Sequence, residues 1–247
     1  MQAVVDNLMT TFSQTGNGKD VLILHGWGDT SKSMAPLAKL LSASFRVTAV
    51  DLPGFGGTQA PDAVWGLDDY ADFIRQFLLK ANVKPAVVIG HSNGGAIAIR
   101  ALSKGLKTGK LILVASAGIR GEYKGRMRLL RYATKTAKLA TYPLPAHIKK
   151  RLRRKLYTTV GSDMLVAEHL QETFKRVVTD DVRKEAVEVS VPTLLIYGDK
   201  DVSTPLKFGQ ILHKAISGST MVVIPDGEHW LPTENTEEVY KHIKEFL

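Results

Sequence analysis

Ser92, His229 and the aspartates Asp199 and Asp201 are the residue types that can open a carbonyl compound by nucleophilic attack. A serine hydroxyl is a poor nucleophile at neutral pH. It needs a base to take its proton, a group that orients the base, and donors for the oxyanion that forms. Ser92 stands at the centre of Gly90-His91-Ser92-Asn93-Gly94-Gly95, a Gly-x-Ser-x-Gly pattern. Between a strand and a helix this pattern forms a nucleophile elbow, a sharp turn that exposes the hydroxyl above a sheet. Glycines two before and two after the serine are needed because strand and helix nearly touch there. His229, in Asp226-Gly227-Glu228-His229-Trp230, is the candidate base. For the orienting acid, Asp201 is preferred over Asp199, which lies nearer its strand and is expected to cap the turn. Asp226 and Glu228 precede the histidine too closely to face its ring and are expected in solvent.

The elements that must bring these residues together can be read from periodicity. The apolar run Pro85-Ala86-Val87-Val88-Ile89 leads into the elbow, and Ala96 to Lys104 reads as the helix after it. Val21-Leu22-Ile23-Leu24 is too apolar for a half-exposed strand and reads as a central one. Further strands are expected at Phe45 to Val50, Leu111 to Val114, Pro192 to Tyr197 and Met221 to Ile224. Helices are expected over Ser33 to Leu41, Leu67 to Ala81, Pro205 to Ile216 and Thr236 to Leu247. In the second of these, Tyr70, Phe73, Ile74, Phe77 and Leu78 share one face. Residues 1–20 are expected to hold one or two short strands, Met9 to Thr15 being the clearer, before the turn at Gly16-Asn17-Gly18.

Strands alternating with helices indicate an α/β fold, a mostly parallel sheet with helices on both faces. Every candidate residue follows the carboxyl end of a strand, where open α/β sheets carry their sites. The alternation breaks at about Ala117 and resumes at Val191. Residues 1–117 and 191–247 are therefore read as the core and residues 118–190 as a helical insertion.

Composition narrows the classes further. The chain has 247 residues, enough for one large core, and ordinary apolar and charged fractions. It has no cysteine, so disulfides, thiolate metal sites and a cysteine nucleophile are excluded. The N-terminus lacks a basic segment followed by an apolar stretch, and no apolar run approaches the ~20 residues that span a bilayer. A cytoplasmic location is expected. Gly54-x-Gly56-Gly57 lacks the spacing of a dinucleotide loop, and no Walker A sequence is present.

Taken jointly, His25-Gly26-Trp27-Gly28, Asp51-x-Pro53-Gly54-x-Gly56, the elbow, Gly198-x-x-Asp201 and Gly227-x-His229-Trp230 resemble the α/β-hydrolase family in content and order. The resemblance spans nearly the whole chain. It implies Ser92 as nucleophile, His229 as base and Asp201 as orienting acid. It also implies an oxyanion hole made by the backbone N–H groups of Trp27 and Asn93. The implied activity is that of a serine hydrolase, carboxylic ester hydrolysis first, with no metal or organic cofactor. The same triad can serve carbon–carbon bond hydrolysis, perhydrolysis or elimination, and some family members are receptors with little turnover. Serine at the elbow argues against dehalogenase and epoxide hydrolase chemistry, which uses aspartate there. His25 and His91 fall at family positions beside the two turns and are expected to be structural. His147, His169, His213 and His242 are expected at the surface.

In this family the segment before the acid-bearing strand is often a helical cap. Residues 118–190 hold seventeen Lys and Arg against eight Asp and Glu, a difference of nine, while the remainder of the chain is balanced at sixteen each. The entire net charge of +9 thus lies in the insertion. Tyr123, Met127, Leu130, Thr134 and Ala137 share one predicted helix face, with Lys124, Arg128, Arg131, Lys135 and Lys138 rotated from it. A second basic helix is expected from Ala146 to Tyr157, separated from the first by Tyr142-Pro143-Leu144-Pro145. Such a face either keeps the cap soluble or draws in an anion: a substrate carboxylate, an acidic carrier protein or an anionic surface. The expected partner is a small-molecule ester, with no nucleic acid.

Overall fold

In the computed structural model, residues 1–120 and 167–247 are described. The two basic helices, the proline break between them and His147 fall outside the described residues. The described residues form an eight-stranded sheet in the order β1-β2-β4-β3-β5-β6-β7-β8. The strands are β1 (Gln2–Val5), β2 (Leu8–Thr15), β3 (Lys19–Leu24), β4 (Phe45–Val50), β5 (Pro85–His91), β6 (Lys110–Val114), β7 (Thr193–Gly198) and β8 (Thr220–Ile224). β1, β2 and β4 pair antiparallel, and every pairing from β4 through β3 to β8 is parallel.

The apolar strands are apolar throughout because both faces are covered. Leu22 and Leu24 enter one buried cluster while Val21 and Ile23 enter the other. The same alternation separates Leu111 and Leu113 from Ile112 and Val114, and Leu195 and Tyr197 from Leu194 and Ile196. One face carries α2 (Leu67–Lys80), α3 (Asn93–Ser103) and α6 (Leu206–Ala215). The other carries α1 (Ala35–Leu41), the short α7 (Leu231–Glu234) and α8 (Thr236–Phe246). No helix among the described residues is long and apolar enough to cross a membrane.

The one or two short strands expected before β3 are two: β1 and β2 form a hairpin through Asp6 and Asn7, both at positive φ (49° and 62°). Positive φ at both central residues is what a two-residue type I′ hairpin turn requires, and Asp and Asn tolerate it. Helix α3 starts at Asn93, three residues before the expected start, because the elbow turns straight into it.

The described end of the insertion packs on the core. A 3-10 turn (Glu168–Leu170), α4 (Gln171–Val177) and α5 (Arg183–Val187) add Leu170, Val177, Val182 and Ala186 to the cluster that buries α2 and α3. Two hydrogen bonds tie its start to its later part: Val182 N–H donates to Gly118 O at 2.8 Å, and Arg120 N–H to the side-chain Oδ2 of Asp181 at 2.9 Å.

Candidate active site

β5 ends at His91 and α3 begins at Asn93, so Ser92 alone makes the turn. Its φ of 51° and ψ of −119° put a residue with a Cβ in the region that favours glycine. Strain of that kind costs on the order of 1–3 kcal/mol and persists only where the surroundings over-determine it. Here the Ser92 carbonyl accepts from Gly95 N–H (3.0 Å) and Ala117 N–H (2.9 Å), and Ser92 N–H donates to Val114 O (3.0 Å). The glycines are forced by close approach. A Cβ on Gly90 would stand 2.5 Å from Gly95 Cα, and one on Gly94 would stand 2.3 Å from Leu24 O.

Three sequence-predicted residues meet. His229 Nε2 is 3.0 Å from Ser92 Oγ, and His229 Nδ1 is 2.8 Å from Asp201 Oδ2. Asp201 comes from the loop after β7, and its side chain is fully buried. Its Oδ1 accepts from the N–H groups of Ser203 and Thr204, both at 2.8 Å. Burial pushes the Asp201 carboxyl up. The His229 hydrogen bond and charge, with the Thr204 hydrogen bonds, outweigh burial and hold it below its ordinary value. Asp201 therefore stays ionised. Its charge favours the His229 tautomer with the proton on Nδ1, which leaves the Nε2 lone pair facing Ser92. Asp199 is exposed, as are Asp226 and Glu228.

The loop after β3 runs against the nucleophile: a Cβ built on Gly26 would lie 3.1 Å from Ser92 Cβ. Buried His25 holds this loop. Its Nδ1–H donates to Gly26 O (2.7 Å) and its Nε2 accepts from Leu52 N–H (2.9 Å), tying the loops after β3 and β4 together. Burial lowers its pKa and keeps it neutral. Asp51 fastens the same region, accepting from Ser31 N–H (2.7 Å) and Gly57 N–H (2.8 Å). Trp27 is buried, with its ring edge-on to Phe55 at 4.9 Å and tilted on Phe174 of α4 at 5.1 Å. Asn93 is the first residue of α3, where backbone N–H groups have no acceptor within the helix. Among the described residues, the buried Trp27 Nε1 and Asn93 Nδ2 have no hydrogen-bond partner.

His91 also does more than fill space. Its Nε2–H donates to the backbone carbonyl of His229 at 3.0 Å, fastening the base loop to the elbow. Burial, with the neighbouring His229, pushes its pKa down to about 4, so it stays neutral beside the base. His169 and His213 are exposed and His242 is half-buried. Thr204 was not legible as a site residue. Its Oγ1 lies 2.7 Å from Asp201 Oδ2 and 3.1 Å from His229 Nδ1. In sequence, a threonine before Pro205 reads only as the start of α6. No group of His, Asp and Glu among the described residues is arranged to hold a metal ion.

Comparison with known proteins agrees with this architecture. The family model described as the alpha/beta hydrolase family matches residues 21–242. The chain is 28% identical to the AB hydrolase superfamily protein YisY of Bacillus subtilis, over 94% of this chain and 92% of that one. It is also 28% identical to a pimeloyl-[acyl-carrier protein] methyl ester esterase of Neisseria meningitidis serogroup B, over 85% of this chain and 86% of the relative. Among solved structures, the enol-lactonase from Burkholderia xenovorans superposes with a TM-score of 0.77 at 21% identity, covering 100% of this chain and 99% of that one.

Proposed function

This chain belongs to the alpha/beta hydrolase family, and on that premise we propose that it is a serine hydrolase of carboxylic esters with Ser92 as nucleophile. The observation that carries this reading is the continuous chain of hydrogen bonds from Ser92 Oγ through His229 to Asp201. In the first step His229 Nε2 takes the hydroxyl proton as Ser92 Oγ attacks the ester carbonyl. Asp201 stabilises the imidazolium that forms without taking its proton. The tetrahedral oxyanion rests on the backbone N–H groups of Asn93 and Trp27. Losing one such donor typically costs roughly a hundred- to a thousandfold in rate. Collapse expels the alcohol, which leaves with the proton from His229. Water, deprotonated by the same Nε2, then attacks the acyl-serine and releases the acid.

Residues 118–190 act in this reading as the cap that selects the substrate. Phe174 packed on Trp27 supports this, because a side chain of the insertion then touches a residue of the oxyanion hole. The net charge of +9 carried by the insertion favours acyl groups that bear a carboxylate or are held on an acidic carrier. That preference also fits a relative named for a carrier-bound methyl ester.

The test is turnover of a short p-nitrophenyl ester by Ser92→Ala. We expect a loss of at least about ten-thousandfold with an unchanged melting temperature. A rate equal to the unsubstituted protein's would rule the mechanism out.

A further inference from the structure

We infer that the hydroxyl of Thr204 is a positioning group that completes the Ser92–His229–Asp201 arrangement, fixing the Asp201 carboxylate and anchoring it to the strand beside the nucleophile. The inference rests on the serine hydrolase reading above and adds a residue to it.

Thr204 lies between β7 and α6 and is 4% exposed. Its Oγ1 has three polar neighbours: Asp201 Oδ2 at 2.7 Å, Ala115 O at 2.9 Å and His229 Nδ1 at 3.1 Å. A threonine hydroxyl has one proton and can also accept. Two of these neighbours only accept. The third, Nδ1, carries the proton of His229 in the tautomer that leaves Nε2 free for Ser92. Thr204 therefore donates to Asp201 or to Ala115 and offers its lone pairs to the Nδ1–H. Rotation about the C–O bond moves its proton between Oδ2 and the Ala115 carbonyl without moving a heavy atom.

Counting donors shows what the hydroxyl contributes. An ionised carboxylate has about four acceptor positions. With the Thr204 proton turned to Oδ2, Asp201 fills two on Oδ1 with the N–H groups of Ser203 and Thr204, and two on Oδ2 with His229 Nδ1–H and the Thr204 hydroxyl. With all four engaged, the carboxylate cannot turn without breaking bonds, so Oδ2 stays aimed at the histidine. Turned instead to Ala115 O, the same proton has a second effect. Ala115 directly follows β6, whose last residue, Val114, accepts from Ser92 N–H. One hydroxyl thus joins the acid's loop to the segment that holds the nucleophile's turn.

The variants Thr204→Val, which keeps the shape and removes the hydroxyl, and Thr204→Ser, which keeps it, separate the hydroxyl from packing. The readouts are kcat and KM for p-nitrophenyl acetate across about pH 5 to pH 9. Labelling of Ser92 by a fluorophosphonate is followed over the same range. For Thr204→Val we expect kcat to fall roughly ten- to a hundredfold, the range for removing a hydrogen bond to a charged group, with KM little changed. The acidic limb should move to higher pH. With one donor fewer on Oδ2, the His229–Asp201 pair holds its shared proton more tightly, and the free base appears later as pH rises.

The other titratable groups beside the pair do not interfere. His91 at the end of β5 titrates at about 4. Burial pushes Tyr197 of β7 above its ordinary value, and Asp226 and Glu228 in the histidine's own loop are exposed. Thr204→Ser should stay within about threefold of the unsubstituted protein in kcat, because its hydrogen bonds are retained. Melting temperatures show whether Thr204→Val still folds; if it does not, Thr204→Ser decides. Unaltered kcat and acidic limb in Thr204→Val, or a comparable loss in Thr204→Ser, overturns the inference. Failure of the unsubstituted protein to label at Ser92 would instead overturn the hydrolase reading, and the inference with it.

Discussion

The loops at the carboxyl edge of the sheet and the insertion between β6 and β7 build the same site by different means. At the sheet edge, position is fixed by backbone. Ser92 is held at positive φ by three backbone hydrogen bonds, and Gly90 and Gly94 leave no room for a Cβ. Asp201 and His25 are likewise held by bonds to peptide N–H and C=O groups. The insertion reaches the site through side chains: Leu170 against Gly54, and Phe174 against Trp27. A backbone arrangement of this kind tolerates almost no substitution, whereas packed side chains can be exchanged for others of similar volume. In the function proposed above, the difference would let the core hold the reaction constant while the insertion varies what is admitted.

Substitutions on the two sides should therefore fail differently. The largest effect is expected for Gly94→Ala. The added methyl would meet Leu24 O at 2.3 Å and His25 O at 2.6 Å, both backbone atoms that cannot swing aside. We expect a loss of about 3 kcal/mol in denaturant-derived stability, the upper end for overpacking, and little residual activity. A stable, active variant would mean that the edge is as plastic as the insertion.

Next comes acid stability. His91 titrates near 6.5 when unfolded and at about 4 when folded. Between those values the unfolded chain binds the extra proton, so stability falls as pH drops through the window. By pH 5 the loss from this group alone is about 2 kcal/mol. Buried His25, lowered for the same reason, adds in the same direction. Urea melts at stepped pH values should show the slope, and His91→Gln should remove one proton's worth of it. An identical slope in that variant would show that His91 is not the group responsible.

On the insertion side, Phe174→Ala removes the ring against Trp27 and should raise KM up to about tenfold, the value of roughly 1.4 kcal/mol of lost contact, while kcat changes little. A fall in kcat comparable to that of a Ser92 variant would place the insertion inside the reaction machinery and erase the contrast.

The smallest effect concerns charge. Because the insertion carries the excess of basic residues, added salt should weaken turnover of a carboxylate-bearing ester a few-fold more than that of a neutral one. Equal responses would reduce the basic residues to a solubility role.

The same contrast explains how much could be read from the chain alone. Periodicity places Ser92, Asp201 and His229 on one edge because each follows a short apolar run closed by a turn, while the Gly-x-Ser-x-Gly pattern and the family resemblance supply their expected roles. Asp201 was separable from Asp199 by its distance from the strand, and the structure brings Asp201 to the histidine. β1 is the less clear of the one or two strands expected before the Gly16-Asn17-Gly18 turn, because its hairpin turns on Asp6-Asn7 without a glycine. Thr204 is not legible in the sequence because two of its partners, Ala115 just after β6 and His229 in the loop after β8, stand 89 and 25 residues away. Leu170 and Phe174 lie in an amphipathic stretch whose partners depend on tertiary packing that periodicity does not encode. The predicted helices of residues 121–166 lie outside the described residues.

The central claim is that Ser92 carries the acyl group through the reaction. Rapid acid quench during the first turnover of p-nitrophenyl acetate, followed by peptide mass spectrometry, tests it directly. The account predicts one acetyl group per chain, on the peptide containing Ser92 and on its hydroxyl, appearing with the burst of nitrophenol and absent in Ser92→Ala. Steady turnover with no acyl group on Ser92, or an acyl group on another residue, would contradict it.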